Sequence, residues 1–138
     1  MEENISFNSD NLDANALNTV QLAYLGDAIY EIYIRNYLLS LGITKSAGLQ
    51  KNAEALVKAK TQSDALSLII PALSESEKKI VLRARNNKHK NKPRSATVEE
   101  YNNATALEAL IGYLYLNKHN EKLDEIIEII IKTFGGKQ

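Results

Sequence analysis

Two acidic residues stand in stretches too apolar for an uncompensated charge. Asp27 lies in LAYLGDAIYEIYIR, residues 22–35, and Glu108 in TALEALIGYLYL, residues 105–116. An ionised carboxylate taken out of water without a partner either loses several kcal/mol or protonates, so each acid predicts a compensating group. One candidate is a divalent metal shared by both segments. The other is structural: Asp27 paired with Arg35 or a backbone amide, and Glu108 with a nearby Lys. Mg²⁺ suits the first because it binds through one or two carboxylates and keeps several waters, and bound water deprotonates far more readily than bulk water. That is the chemistry of phosphodiester hydrolysis.

Spacing decides what could stand near the acids. In a helix Ala23, Asp27 and Glu31 fall on one face, as do Thr105, Glu108 and Gly112. Gly26 and Gly112 each remove a side chain beside an acid, at a helix-propensity loss of about 0.5–1 kcal/mol relative to Ala that suits a close backbone approach. If the two faces oppose, Asp27 and Glu108 converge, with Glu31 and the Thr105 hydroxyl at the edge.

A second constellation is LRARNNKHKNKPR, residues 82–94, which holds Arg83, Arg85, Lys88, Lys90, Lys92 and Arg94 without an acid, and Asn86 among its amide donors. Cations at this density release counterions on binding nucleic acid, and the absence of aromatic residues favours a duplex backbone over stacked single strands. The bland alternative is a solvated loop. Charge distribution leans the same way as the motif. The chain is neutral overall, yet residues 45–94 carry twelve Lys or Arg against four acids, between acidic flanks. Lys51, Lys58 and Lys60 either extend this basic face or merely solubilise a helix.

Other chemistries find little support. The chain has no Cys, which removes thiol nucleophiles, disulfides and zinc–thiolate sites. His89 and His119 have no second ligand at metal spacing, and neither a P-loop nor a dinucleotide-binding glycine pattern occurs. The seven tyrosines read as packing residues. The start, MEENISFNSDNLD, has no basic, apolar run of a signal peptide and no segment reaches membrane-spanning length, so the expectation is a cytoplasmic protein with no membrane partner.

The elements that must position these residues are helices. With 138 residues, two Pro, six Gly and no sustained alternation, the chain reads as one all-α domain over residues 1–138. Capping-box pairs Asn18/Gln21, Ser74/Glu77 and Thr97/Glu100 open three helices, the first running to about Leu41 before Gly42. Its predicted apolar stripe is Leu22, Leu25, Ile29, Ile32 and Tyr33. A further helix is expected over 46–63, a short continuation to Ile70 ahead of Pro71, and a last one from near Asn120 to Gly135.

LAYLGDAIYEIYIRNYLL resembles the LGDA signature of the ribonuclease III catalytic domain, and ALEALIGYLYL resembles its second acidic motif. RARNNK, the Pro-containing loop and Tyr101, with no double-stranded-RNA-binding domain, are similar to the short mini-ribonuclease III branch; the resemblance covers roughly residues 20–118. It implies a helical homodimer that cuts double-stranded RNA with Mg²⁺, in maturation of a large-subunit (23S) rRNA precursor, with a ribosomal protein or subunit as a further partner. By position Asp27 and Glu108 become the catalytic and metal-binding residues. The further acids of full-length ribonuclease III are Ala23 and Thr105 here, a pattern of the mini branch. Ala84, Asn102 and Gln50 also depart from the expected Gly, Arg and His. The two-fold symmetry of a duplex matches a dimer, and Leu22, Leu25 and Ile29 are the expected interface. The rival reading is a non-catalytic duplex-RNA-binding or ribosome-assembly module with the same fold.

Overall fold

A computed structural model of the chain describes residues 9–87 and 96–135. They form six α-helices, α1 (Thr19–Ser40), α2 (Ser46–Val57), α3 (Ala59–Ile69), α4 (Glu75–Asn86), α5 (Val98–Leu116) and α6 (Asn120–Phe134), with a 3-10 turn at Ile70–Ala72. No strand occurs among the described residues, and the fold class is all-α as expected. No described helix is long and apolar enough to cross a membrane.

All three capping boxes form. The Asn18, Ser74 and Thr97 side chains accept from the backbone N–H three residues on, and the Gln21, Glu77 and Glu100 side chains accept from the cap residue's own N–H. Each satisfies two amides that a helix start leaves without partners. α1 ends at Leu41, and Gly42 follows with φ +80°, a conformation that an L side chain resists.

α5 is the hub. α1, α3, α4 and α6 all pack against it, and Leu107, Leu110, Ile111 and Leu114 are fully buried. A helix apolar on every side belongs in the middle of a bundle. α6 adds Leu123, Ile126, Ile127 and Ile130 to the same core. α1 crosses α5 at Gly26 and Gly112 with the two backbones in contact. A Cβ placed on Gly26 would stand 1.7 Å from the Glu108 carbonyl oxygen, and one on Gly112 would stand 2.1 Å from the Leu22 carbonyl oxygen.

The close crossing corrects the predicted apolar stripe of α1. Leu22 and Ile29 are buried and Leu25 and Tyr33 partly so, but Ile32 is exposed. The buried line runs instead through Leu22, Gly26, Tyr30, Ile34 and Leu38, because Gly26 must face α5 and that rotation turns Ile32 outward. Leu22 and Ile29 therefore cannot form an intersubunit surface.

The expected helix over 46–63 is broken. Lys58 is extended (φ −67°, ψ 151°), and α3 starts one residue later rather than near Asp64. Two hydrogen bonds hold this elbow: Tyr30 Oη donates to the Leu56 carbonyl at 2.7 Å and Thr61 Oγ1 to the Ala55 carbonyl at 2.7 Å. Both satisfy carbonyls at the end of α2 that have no helical partner.

Substituting Gly26 by Ala should destabilise the chain by about 3 kcal/mol or prevent folding, since the clash is with backbone and neither helix can yield locally. Ala at exposed Asn36 of the same helix serves as the control. A Gly26→Ala midpoint in urea matching wild type would refute the backbone contact.

Candidate active site

Asp27 follows the Gly26 contact directly, and Glu108 sits one turn before Gly112 on α5. The crossing therefore brings the two carboxyls within hydrogen-bonding reach of one another. Glu108 is partly buried and Asp27 exposed, so the pair lies at the rim of the core with one side open. Burial, the hydrogen bond and charge of Asp27, and the charge of Glu31 push the Glu108 carboxyl up to about 9, while a hydrogen bond from Gln62 opposes them. Burial also pushes the neighbouring Tyr30 hydroxyl up, and Glu108 adds to it.

The structural pairing expected for the acids is not what forms. Arg35 binds Glu31 at 3.1 Å, four residues back on its own helix, and no Lys pairs with Glu108 among the described residues. The Thr105 hydroxyl donates to the Tyr101 carbonyl at 2.9 Å, so its proton is committed within α5. Ala23 is buried and offers no donor atom.

Two adjacent carboxyls, neither with a cation as partner among the described residues, match the hard-oxygen donor set of a small divalent ion. The described residues hold no group of three or more His, Cys, Asp or Glu placed to ligate a metal. An ion held here would have Asp27 and Glu108 as its protein ligands and solvent for the rest of its shell, which agrees with the habit of Mg²⁺.

The basic residues fall on either side of the pair. Arg83, Arg85 and Asn86 are exposed at the end of α4, and Lys88, Lys90, Lys92 and Arg94 lie outside the described residues. Asn87, the C-cap of α4, hydrogen-bonds Thr19 at the start of α1, which places this end roughly 12 Å along α1 from Asp27. Arg85 and Asn86 line an open cleft of about 520 Å³ with Val98, Glu99, Asn102 and Asn103. Among the described residues Lys45, Lys51, Lys58, Lys79, Arg83 and Arg85 have no ion-pair partner, whereas every cation of α1 and α6 and of the turn before α6 is paired. The free cations thus belong to α4 and to the α2 side of the elbow.

Gln62 is the site residue that sequence reasoning missed. It is 3% exposed and shares the buried face of α3 with Ala65, Leu66 and Ile69. The signal was a polar residue at i relative to apolar i+3, i+4 and i+7, hidden because the elbow at Lys58 was not foreseen.

Residues 20–119 match the ribonuclease III domain. The chain belongs to the ribonuclease III family. Within that family, Mini-ribonuclease 3 of Enterococcus faecalis is 43% identical over 89% of this chain and 95% of its own. A Mini-ribonuclease 3-like protein of Fusobacterium nucleatum is 46% identical over 94% of this chain and 98% of its own. A crystal structure of a Fusobacterium nucleatum protein, 46% identical, superposes with a TM-score of 0.80 over 88% of this chain and 97% of that one. The resemblance to the mini-ribonuclease III branch thus holds, and the domain and these relatives support an endoribonuclease of double-stranded RNA.

The raised Glu108 carboxyl has a stability consequence with a definite sign. Its folded value, about 9, lies above the ordinary 4.5, so the folded state resists an ionisation that the unfolded chain allows. The penalty is absent below about 4.5, grows with pH and is complete above about 9. Without added metal, Glu108→Gln should raise the melting temperature at pH 7 to 8 and leave it unchanged near pH 4. Mg²⁺ should narrow the gap by stabilising the wild type. Thermal melts across that pH range check it, and a gap that is constant with pH contradicts the buried-pair account.

Proposed function

We propose that the chain cleaves duplex RNA with Mg²⁺ held by Asp27 and Glu108, that it acts as a homodimer, and that its substrate is a precursor of large-subunit (23S) rRNA. The observation that carries the catalytic part is the meeting of two carboxyls from different helices at a backbone crossing, with no basic partner. Membership of a family of ribonucleases supplies the scissile bond. An ion held by these carboxylates would supply Lewis-acid stabilisation of the charge that develops on the phosphate oxygens.

The chain's own residues do the rest. Glu108 and Asp27 would hold the ion, Asp27 from the open side of the site, and the buried wall of α3 and α5 behind Glu108 keeps bulk water from that face. Arg83, Arg85 and Asn86, continued in sequence by Lys88, Lys90, Lys92 and Arg94, hold the phosphate backbone and fix the register of the duplex. Glu31, pinned by Arg35, adds negative potential without standing as a ligand.

Support for the homodimer comes from α1. Val20, Tyr24 and Ile32 are 58%, 85% and 55% exposed and, with Ala28, follow an i, i+4 line beside Asp27. An apolar stripe of this kind on an otherwise polar face fits a two-fold contact, which would set two acid pairs on one surface. It replaces the interface expected at Leu22 and Ile29. The rRNA precursor, and assistance from a ribosomal protein or subunit, rest on the resemblance to mini-ribonuclease III.

Asp27→Asn and Glu108→Gln should each lower cleavage of a long duplex by about 1,000-fold or more, because several kcal/mol of transition-state stabilisation is lost, while duplex binding persists. Gel-based cleavage with and without chelator reads this. Undiminished cutting by Asp27→Asn would sink the metal mechanism, and a wild type that binds duplex but never cuts it, whichever divalent ion is supplied, would support the binding-module reading. Tyr24→Lys combined with Ile32→Lys should convert a dimer to a monomer in sedimentation velocity without lowering the melting temperature of the monomer's helices. A wild type that sediments as a monomer at micromolar concentration removes the dimer from the proposal.

A further inference from the structure

α3 offers one polar side chain to the core in a position where only apolar neighbours would be expected. Gln62, Ala65, Leu66 and Ile69 are all buried, at 3%, 0%, 1% and 0% exposure. A primary amide in such surroundings must find partners or lose the desolvation energy of its donors. Its side chain neighbours the Glu108 carboxyl and favours the charged form of that acid. An amide N–H is a donor that an ionised carboxylate accepts from, so Gln62 favours the form of Glu108 that can ligate a metal.

The surroundings fix where that amide points. Tyr30 Oη holds the Leu56 carbonyl at 2.7 Å and Thr61 Oγ1 holds the Ala55 carbonyl at 2.7 Å, which set the angle between α2 and α3 immediately before Gln62. On the next residue, Asn103 Nδ2 donates to Ser63 Oγ at 3.0 Å, a buried bond between α3 and α5. The register of α3 on α5 is thus pinned on both sides of Gln62. The side chain is delivered to Glu108 by a rigid frame rather than by a loop.

We propose that Gln62 is a positioning residue for Glu108: its side-chain amide donates to one carboxylate oxygen and orients the other toward the metal site shared with Asp27. The inference rests on the metal-binding reading of the acid pair given above. It also assigns a purpose to a chain with only two carboxylates at the site. Where Ala23 and Thr105 leave Glu108 without further acidic neighbours to share a metal, a fixed carboxylate rotamer replaces ligand number as the source of affinity.

The test compares Gln62→Met, which keeps the shape and removes the donor, with wild type, Asp27→Asn and Glu108→Gln. Mn²⁺ alone is the probe for metal affinity, titrated by calorimetry in the absence of RNA. Loss of an outer hydrogen bond to a ligand lowers metal affinity or activity by about 10–100-fold. Gln62→Met should therefore weaken Mn²⁺ binding and lower kcat on saturating duplex in that range, with KM for duplex and the melting temperature of the metal-free protein little changed. High Mg²⁺ should restore much of the lost kcat. Wild-type Mn²⁺ affinity in Gln62→Met overturns the inference, as does a loss of melting temperature that accounts for the lost activity. If Asp27→Asn and Glu108→Gln bind Mn²⁺ normally, the metal reading itself fails, a result distinct from a normal Gln62→Met beside dead acid variants.

Discussion

The contact of Gly26 with the backbone of α5 is the constraint on which the rest of the structure depends. Helix axes normally stand 8–10 Å apart because side chains separate them. Here neither helix has a side chain at the crossing, and the Glu108 and Leu22 carbonyls lie where Cβ atoms would be. The neighbours of the two glycines are carried inward with them. Asp27 and Glu108 meet for that reason, and the rotation that turns Gly26 toward α5 leaves Tyr24 and Ile32 facing outward.

Bringing two acids together opposes folding. Burial and the neighbouring Asp27 both disfavour the charge of Glu108. The surrounding core absorbs that penalty: α5 is encircled, and α6 closes one side with four buried branched or long aliphatic side chains. A site kept in a destabilised state by a well-packed frame is a common compromise between stability and function. The same economy shows in the cations. Arg35 and Lys132 are tied to acids four residues away and Lys122 to Glu77 of α4, whereas Lys51, Lys58, Arg83 and Arg85 have no ion-pair partner among the described residues.

Much of this was legible in the order of residues. Helix starts were, because a capping box is a local bargain between residues three apart and needs no tertiary partner. The acids, the adjacent glycines and the family likeness were, since each is a matter of residue type and short spacing. The α2–α3 elbow was not, because the Leu56 carbonyl at its start finds the Tyr30 hydroxyl only when α1 lies alongside, and the Thr61–Ala55 bond forms only once the elbow is made. The error at Ile32 has a similar origin: a stripe drawn through the largest apolar residues assumes that size points inward, and at a glycine crossing it does not.

The sequence by itself determined the helical class, the helix starts, the acidic pair with its glycines, the basic segment and the family. These are encoded in composition, periodicity and contacts within one or two turns. Only the tertiary structure decided which face of α1 is buried, that Arg35 serves Glu31 rather than Asp27, and that Gln62 reaches Glu108. Each of those depends on the rotation and offset of one helix against another. That geometry is set jointly by every packed side chain, so no local spacing can state it.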